Sequence, residues 1–217
     1  MFIGHFAVGF GAKRFAPKAS LAVLLAAPLL ADLLWPPFLL LGWEHVGIAP
    51  GDTRFTPFDF YDYPWSHSLL MAAVWATFFM LIYWALQRDG RGALVVWIGV
   101  VSHWILDWIT HRPDLPLYPG GHGRYGLGLW NSVAGTMATE TILLIIGIWV
   151  YARVTKARDK IGRYGFWAYV VLLMALYAGD RFSTPPESVR QVAWTAITAS
   201  VVFLLWAWWF DSHRTAS

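Results

Sequence analysis

Residues 93–110 read ALVVWIGVVSHWILDWIT, eighteen positions with no lysine or arginine and with Asp107 as the single carboxylate. A helix needs about 20 mostly apolar residues to cross the hydrocarbon core of a bilayer, so this stretch predicts a membrane span. Extended to His111, it sets His103, Asp107 and His111 at four-residue steps. On a helix that spacing stacks three metal-type side chains along one face.

The rest of the chain shares this character. Of 217 residues, 58% are hydrophobic and 13% charged, against about 25% charged in a soluble domain, and the mean hydropathy is +0.49. A soluble globule and a disordered chain are excluded. No segment is polar enough to stand apart, so residues 1–217 read as a single integral-membrane helical domain. The fold class is all-α, a polytopic membrane protein with six expected spans at 20–43, 67–86, 93–110, 133–152, 165–179 and 191–210. The fifth is short and borrows Tyr164 and its neighbours. Residues 2–12 are too few to cross and predict a short interfacial or re-entrant helix. Pro36-Pro37 should break or kink the first span near its outer end and open space beside Asp32.

Eleven of the 16 lysines and arginines fall before residue 20, in 87–92, in 153–164 and in the carboxy-terminal tail, and five fall in 44–66, 111–132 and 180–190. The cytoplasmic excess of basic residues then puts both termini inside an inner (plasma) membrane. Glu44, Asp52, Asp59 and Asp62 suit the outer side for loop 44–66. The net charge of +3 is spread over alternate loops, which excludes nucleic acid as a partner and leaves membrane lipid as solvent and possible substrate. With no cysteine, disulfides, thiolate ligands and cysteine nucleophiles are excluded, and any metal must be held by His, Asp and Glu.

By this count every basic residue lies in a loop, yet Asp32, Asp107 and Glu140 lie within spans. An ionisable group in a membrane helix costs at least ~2.5–3.5 kcal/mol at the centre and normally faces a partner or a wet cavity. These three are therefore protonated, hydrated or gathered around a cation. Counted from the basic end at ~1.5 Å per residue, Asp32 and Glu140 lie about 20 Å deep, His103 about 18 Å and Asp107 about 24 Å. His67, in YPWSHSLL, can lean onto this level from the mouth of the second span. His5 reaches it only if the first segment is tilted or re-entrant. His45 and His213 read as solvated, and Asp180-Arg181 as a local ion pair. His122 stays open, because its glycine-rich loop PGGHGRYGLG (119–128) is either a connector or a backbone-amide anion site. The 15 tryptophans read as interface anchors, Trp35, Trp43, Trp65, Trp108, Trp130 and Trp149 lying near span ends.

His5, Asp32, Ser66-His67-Ser68 and Ser102-His103-x-x-x-Asp107 together resemble the bacterial membrane-bound metal-dependent hydrolases, a LexA-regulated inner-membrane group distantly similar to zinc-dependent phospholipase C. Through WITHRPDLPLYPGG, GLGLWNS and Glu140 the whole chain is similar to a narrower set of multi-pass bacterial proteins. The resemblance implies one or two zinc ions, with manganese as a substitute. Asp32, His67, His103 and Asp107 would enclose one ion, and His5 would help hold a second through the shared Asp107. Two departures stand out: Ala31-Asp32-Leu33-Leu34 replaces the group's Pro-Asp-x-Asp, and Tyr63-Pro64-Trp65-Ser66 replaces its His-Arg pair before the serine. The His-x-x-x-Glu pair of the soluble phospholipases is missing, and Glu140 with His111 is the nearest substitute.

The function expected from these residues is metal-dependent hydrolysis of a phosphoester, such as a lipid head group, near the outer leaflet. Asp107 and Glu140 would be catalytic, with Glu140 accepting a proton, and Arg112 and Arg124 would hold the phosphate. The rival from another class is a divalent-cation or proton-coupled transporter, against which stands the lack of a second copy of SHWILDWITH. A third reading has the polar groups making only interhelical hydrogen bonds.

Overall fold

The computed structural model describes residues 1–216, apart from the side chain of Arg181; the expected Asp180–Arg181 pair lies outside the described side chains. The chain is mainly helical, in the order α1 (Ile3–Ala12), α2 (Leu21–Ala26), α3 (Leu30–Leu41), α4 (Pro64–His67), α5 (Leu69–Gln87), α6 (Gly90–Thr110), α7 (Val133–Val154), α8 (Phe166–Gly179) and α9 (Val189–Ser212). Three short antiparallel pairs decorate the ends: β1 (His45–Ile48) with β2 (Phe58–Asp62), β3 (Leu115–Pro116) with β4 (Arg124–Tyr125), and β5 (Thr155–Ala157) with β6 (Arg214–Ala216).

Among the described residues five helices are long and apolar enough to cross a membrane: α5, α6, α7, α8 with the π-turn Ile161–Gly165 ahead of it, and α9. The π-turn is how the fifth expected span borrows Tyr164. Serine caps start three of them at one end of the bundle, Ser68 accepting from the Met71 amide, Ser132 from Gly135 and Ser188 from Gln191, each satisfying an amide the helix leaves free. At that same end α6 stops at Thr110, ahead of the Arg112-Pro113 step that disfavours helix.

The expected span 20–43 is a broken pair, α2 and α3, and the break differs from expectation. α3 runs through Pro36 and Pro37, while the interruption falls at Ala27–Leu29, around Pro28. Pro28 cannot donate to the turn before it, and its carbonyl turns to the ring of His103, which donates to it at 2.7 Å.

α1 lies along α7, so closely that a Cβ on Gly147 would strike the Ala7 backbone. Phe10, Tyr151, Phe166, Tyr169 and Phe210 close the core around it. α1 runs from the level of Asp107 to a turn at Lys13, where the chain reverses into α2; it is the re-entrant helix that His5 requires. Lys13 is buried rather than solvated, its ammonium donating to Asp211 (2.9 Å) and to the Ala19 carbonyl (2.8 Å). Asp211 also accepts from the Leu21 amide (2.8 Å) and the Tyr151 hydroxyl (2.6 Å). This knot ties α1, α2, α7 and α9 at the end where β5 pairs β6, so the basic segments of the sequence share one end of the bundle.

Cysteines introduced at the exposed positions Thr184 and Thr215 should therefore lie across the bilayer from each other, and an impermeant thiol reagent added to intact cells should label one of the two. Labelling of both, or of neither before lysis, would contradict the five-helix arrangement.

Candidate metal centre

Asp107 sits on the buried face of α6, one turn from its end. Its Oδ1 accepts from His5 Nε2 at 3.1 Å and pairs with the terminal ammonium of Met1. Its Oδ2 faces Nε2 of His103 at 3.0 Å, of His111 at 3.6 Å and of His67 at 4.0 Å. Asp32, in the first turn of α3, brings Oδ1 to 3.6 Å from His67 Nε2. The rings of His5 and His103 stack at 4.0 Å. Two triads, His5–His103–Asp107 and Asp32–His67–His103, each gather their ligand-type atoms within 4.8 Å of one another and share His103.

The far nitrogens of three rings are held from behind. His103 Nδ1 donates to the Pro28 carbonyl, His111 Nδ1 to Asp114 Oδ1 at 2.9 Å, and His67 Nδ1 to Ser66 Oγ at 2.6 Å, while Ser66 Oγ itself donates to Glu44 Oε2 at 2.6 Å. A neutral imidazole carries one proton. With that proton on Nδ1, each Nε2 is a bare acceptor. With the rings neutral, Asp107 Oδ2 thus faces three ring nitrogens with no proton to offer, and among the described residues His103 Nε2 is buried with no hydrogen-bond partner. His5 Nδ1 and Glu140 Oε1 are likewise buried and unpartnered. Nitrogen and oxygen donors that converge, with rings fixed by hydrogen bonds on the other side, are the set that fits a zinc-type cation. All four histidines are buried, whereas the Asp32 side chain is 40% exposed, which makes Asp32 the most exposed member of the cluster.

Local sequence explains how these groups are aimed. The i, i+4 stripe places His103 and Asp107, and His111 rejoins it from the cap position. Glu44 caps α4, Oε1 accepting from the amides of Trp65 and Ser66 at 2.7 Å each, and so fixes His67. Glu140 caps α1, Oε2 accepting from the amides of Phe2 (2.8 Å) and Gly4 (3.2 Å), which is where a helix favours negative charge. His5 is carried in on that turn.

Above the cluster, Asp114 accepts from the Tyr63 hydroxyl at 2.7 Å as well as from His111. Burial and the neighbouring Asp114 carboxylate push the Tyr63 phenol well above its usual pKa, which keeps it a donor. Arg112 reaches Asp114 at 3.4 Å and pairs with Asp52 and Asp59 from hairpin β1–β2. Burial works against its charge, but Asp52, Asp59 and Asp114 outweigh that and raise its pKa further.

The structure brings His5, Asp32, His67, His103, Asp107 and His111 together, with Glu140 joined to them through the first turn of α1. Arg112 has its donors committed to three carboxylates and clasps the hairpin over the cluster. Arg124 donates to the Gly121 and Gly123 carbonyls. His122 is exposed in the glycine-rich loop, His45 pairs with Asp62 and His213 with Asp159, all outside the cluster. The loop amides of Leu127 and Gly128 bond the carbonyls of Trp108 and His111, both at 2.7 Å, finishing α6, and a Cβ on Gly126 would strike the His111 and Arg112 carbonyls. Trp35 and Trp130 are buried rather than interfacial, because they wall the cluster, with Trp130 4.1 Å from the His111 ring. Sequence reading missed Glu44, Asp114 and the Pro28 carbonyl. Only Asp114 carried a signal, three residues after His111.

Residues 64–209, well over half of the chain and including α4 through most of α9, match the profile of the YdjM inner membrane protein family. The chain belongs to that family. YdjM membership makes it a bacterial inner-membrane protein, in keeping with its apolar helices, and the matched stretch carries His67, His103, Asp107, His111 and Glu140. His5 and Asp32 come from the part ahead of it. Comparison with curated proteins and with solved structures finds no match.

Protein of this YdjM family member purified with zinc should carry bound metal that Asp107→Ala and His103→Ala abolish and His122→Ala leaves intact. Glu44→Gln and Ser66→Ala, which only loosen the hold on His67, should weaken metal affinity about 10–100-fold. Full metal content in Asp107→Ala would remove Asp107 from the centre.

Proposed function

We propose that the chain is a membrane-embedded, metal-dependent hydrolase acting on a phosphoester, such as a lipid head group, near the outer leaflet. The observation that supports it is the meeting of bare histidine nitrogens with Asp107 and Asp32 in an apolar interior. In this reading Asp32, His67, His103 and Asp107 hold one zinc ion, or manganese in its place. His5 and His111 lie beside it and complete a second site where one forms. The positive-inside rule places the basic end, with the Thr215 segment, in the cytoplasm and the clasped hairpin outside.

When bound, such a metal supplies Lewis-acid polarisation of a phosphoryl oxygen and lowers the pKa of water toward ~7. The residues around it do the rest. Glu140 is anchored through Oε2 by the α1 amides, which leaves Oε1 as a fixed proton acceptor. As the oxygen of water bonds to phosphorus and the ester P–O bond breaks, Glu140 takes the water's proton and returns it to the leaving alkoxide. Arg124, on the far loop, remains the candidate for holding phosphate, since Arg112 is engaged by its carboxylates. Asp32, the half-exposed member, marks the approach for substrate.

A transporter is the second reading, and one observation favours it: the break at Pro28 brings unwound backbone to the depth of the cluster, as broken helices do in carriers. The two are separated by one pair of assays. With zinc or manganese supplied, the protein should release phosphorylated head groups from mixed bacterial lipids, and Glu140→Gln should slow this by ~10²–10⁴-fold while His122→Ala changes little and chelated protein serves as blank. If no phosphoester is consumed and zinc instead crosses sealed vesicles in a His103-dependent manner, the hydrolase reading fails.

A further inference from the structure

A groove of about 500 Å³ lies between the ends of α3 and α9 on the side of hairpin β1–β2, lined by Leu39, Leu40, Val189, Arg190 and Trp194. Leu39 is its buried floor, while Leu40, Arg190 and Trp194 are exposed. α9 has 24 residues; at ~1.5 Å each it is longer than the ~30 Å hydrocarbon core. Its first turn, with Arg190, therefore stands at the level of the lipid phosphates, and Trp194 lies one turn deeper, where aromatic side chains mark the interface. Among the described residues no carboxylate pairs with Arg190, in contrast to Arg112 with its three acidic partners.

We infer that this groove seats one anionic phospholipid, its phosphate on Arg190 and an acyl chain along Leu39, Leu40 and Trp194. A guanidinium matches a phosphate in charge and in fork geometry, and the apolar walls open onto the bilayer, where lipid is the solvent. Asp32, Pro36, Leu39 and Leu40 fall on one stripe of α3 at i, i+4, i+7 and i+8, so the seated lipid lies along the same helix face that ends at the half-exposed Asp32. The seat itself does not depend on the metal chemistry.

The test uses the purified full chain mixed with phosphatidylglycerol in detergent, with retained lipid counted by native mass spectrometry and metal content measured on the same samples. The wild-type chain should hold one lipid more tightly than the rest. Arg190→Gln should weaken that retention about fivefold, the worth of one basic residue at a charged membrane surface, and Arg190→Lys should restore most of it. Arg91→Gln, at the opposite end, should behave as wild type, and His103→Ala should lose metal yet keep the lipid. Equal retention by wild type and Arg190→Gln, a loss that Arg190→Lys does not repair, or displacement of the lipid by inorganic phosphate at the same concentration would overturn the assignment.

Discussion

Lone pairs that face one another repel, and an apolar interior does little to screen that repulsion. Around Asp107 Oδ2 three histidine Nε2 atoms stand at 3.0–4.0 Å, each with its proton drawn to the opposite side of the ring. The arrangement is self-consistent only if positive charge sits among the acceptors, as added protons or as a cation. At Oδ1 the ring N–H of His5 supplies a donor. At Oδ2 no donor stands among the described residues, and the histidines are fixed from behind in the way that metal-binding rings are.

Much of the surrounding fold follows from meeting that geometry. The chain interrupts its first crossing at Pro28, and the freed carbonyl orients His103. α1 re-enters the bundle, and Glu140 satisfies its first amides, which delivers His5. Glu44 caps the four-residue α4 and, through Ser66, orients His67. Asp114 orients His111 and is itself tied through Arg112 to Asp52 and Asp59 on the hairpin. At the other end the buried Lys13–Asp211 pair fixes the turn at which α1 ends and the chain reverses into α2. A buried pair of this kind contributes little net stability but costs about 3–5 kcal/mol when one partner is lost, so the knot specifies a reversal more than it strengthens the bundle.

What the sequence made legible was what is local. Helical periodicity alone puts His103, Asp107 and His111 on one stripe, and composition alone marks six apolar stretches, five of which are the long helices. Composition also joins α2 and α3 into one apolar stretch, because hydropathy does not register a helix break. Pro28 and Pro36-Pro37 carry comparable local signals. The break falls at Pro28 because its carbonyl finds the ring of His103, 75 residues away. Glu44 is similarly silent: as an acid in a loop it reads as solvated, and only the tertiary approach of Ser66, 22 residues on, buries it. Arg112 looked like a free phosphate ligand because its three carboxylates come from two different segments. Depth counting found the level of the cluster because rise per residue is a property of any helix, and it failed to place His5 only because the direction of α1 is set by its packing on α7.

The metal centre is tested most directly by X-ray absorption at the zinc edge on protein purified with zinc. A zinc ion held by these residues should show a shell of nitrogen and oxygen ligands at ~2.0–2.2 Å, with the outer scattering pattern of several imidazoles, reduced in His103→Ala. A protein that holds no zinc under these conditions, or a shell without imidazole, would contradict it.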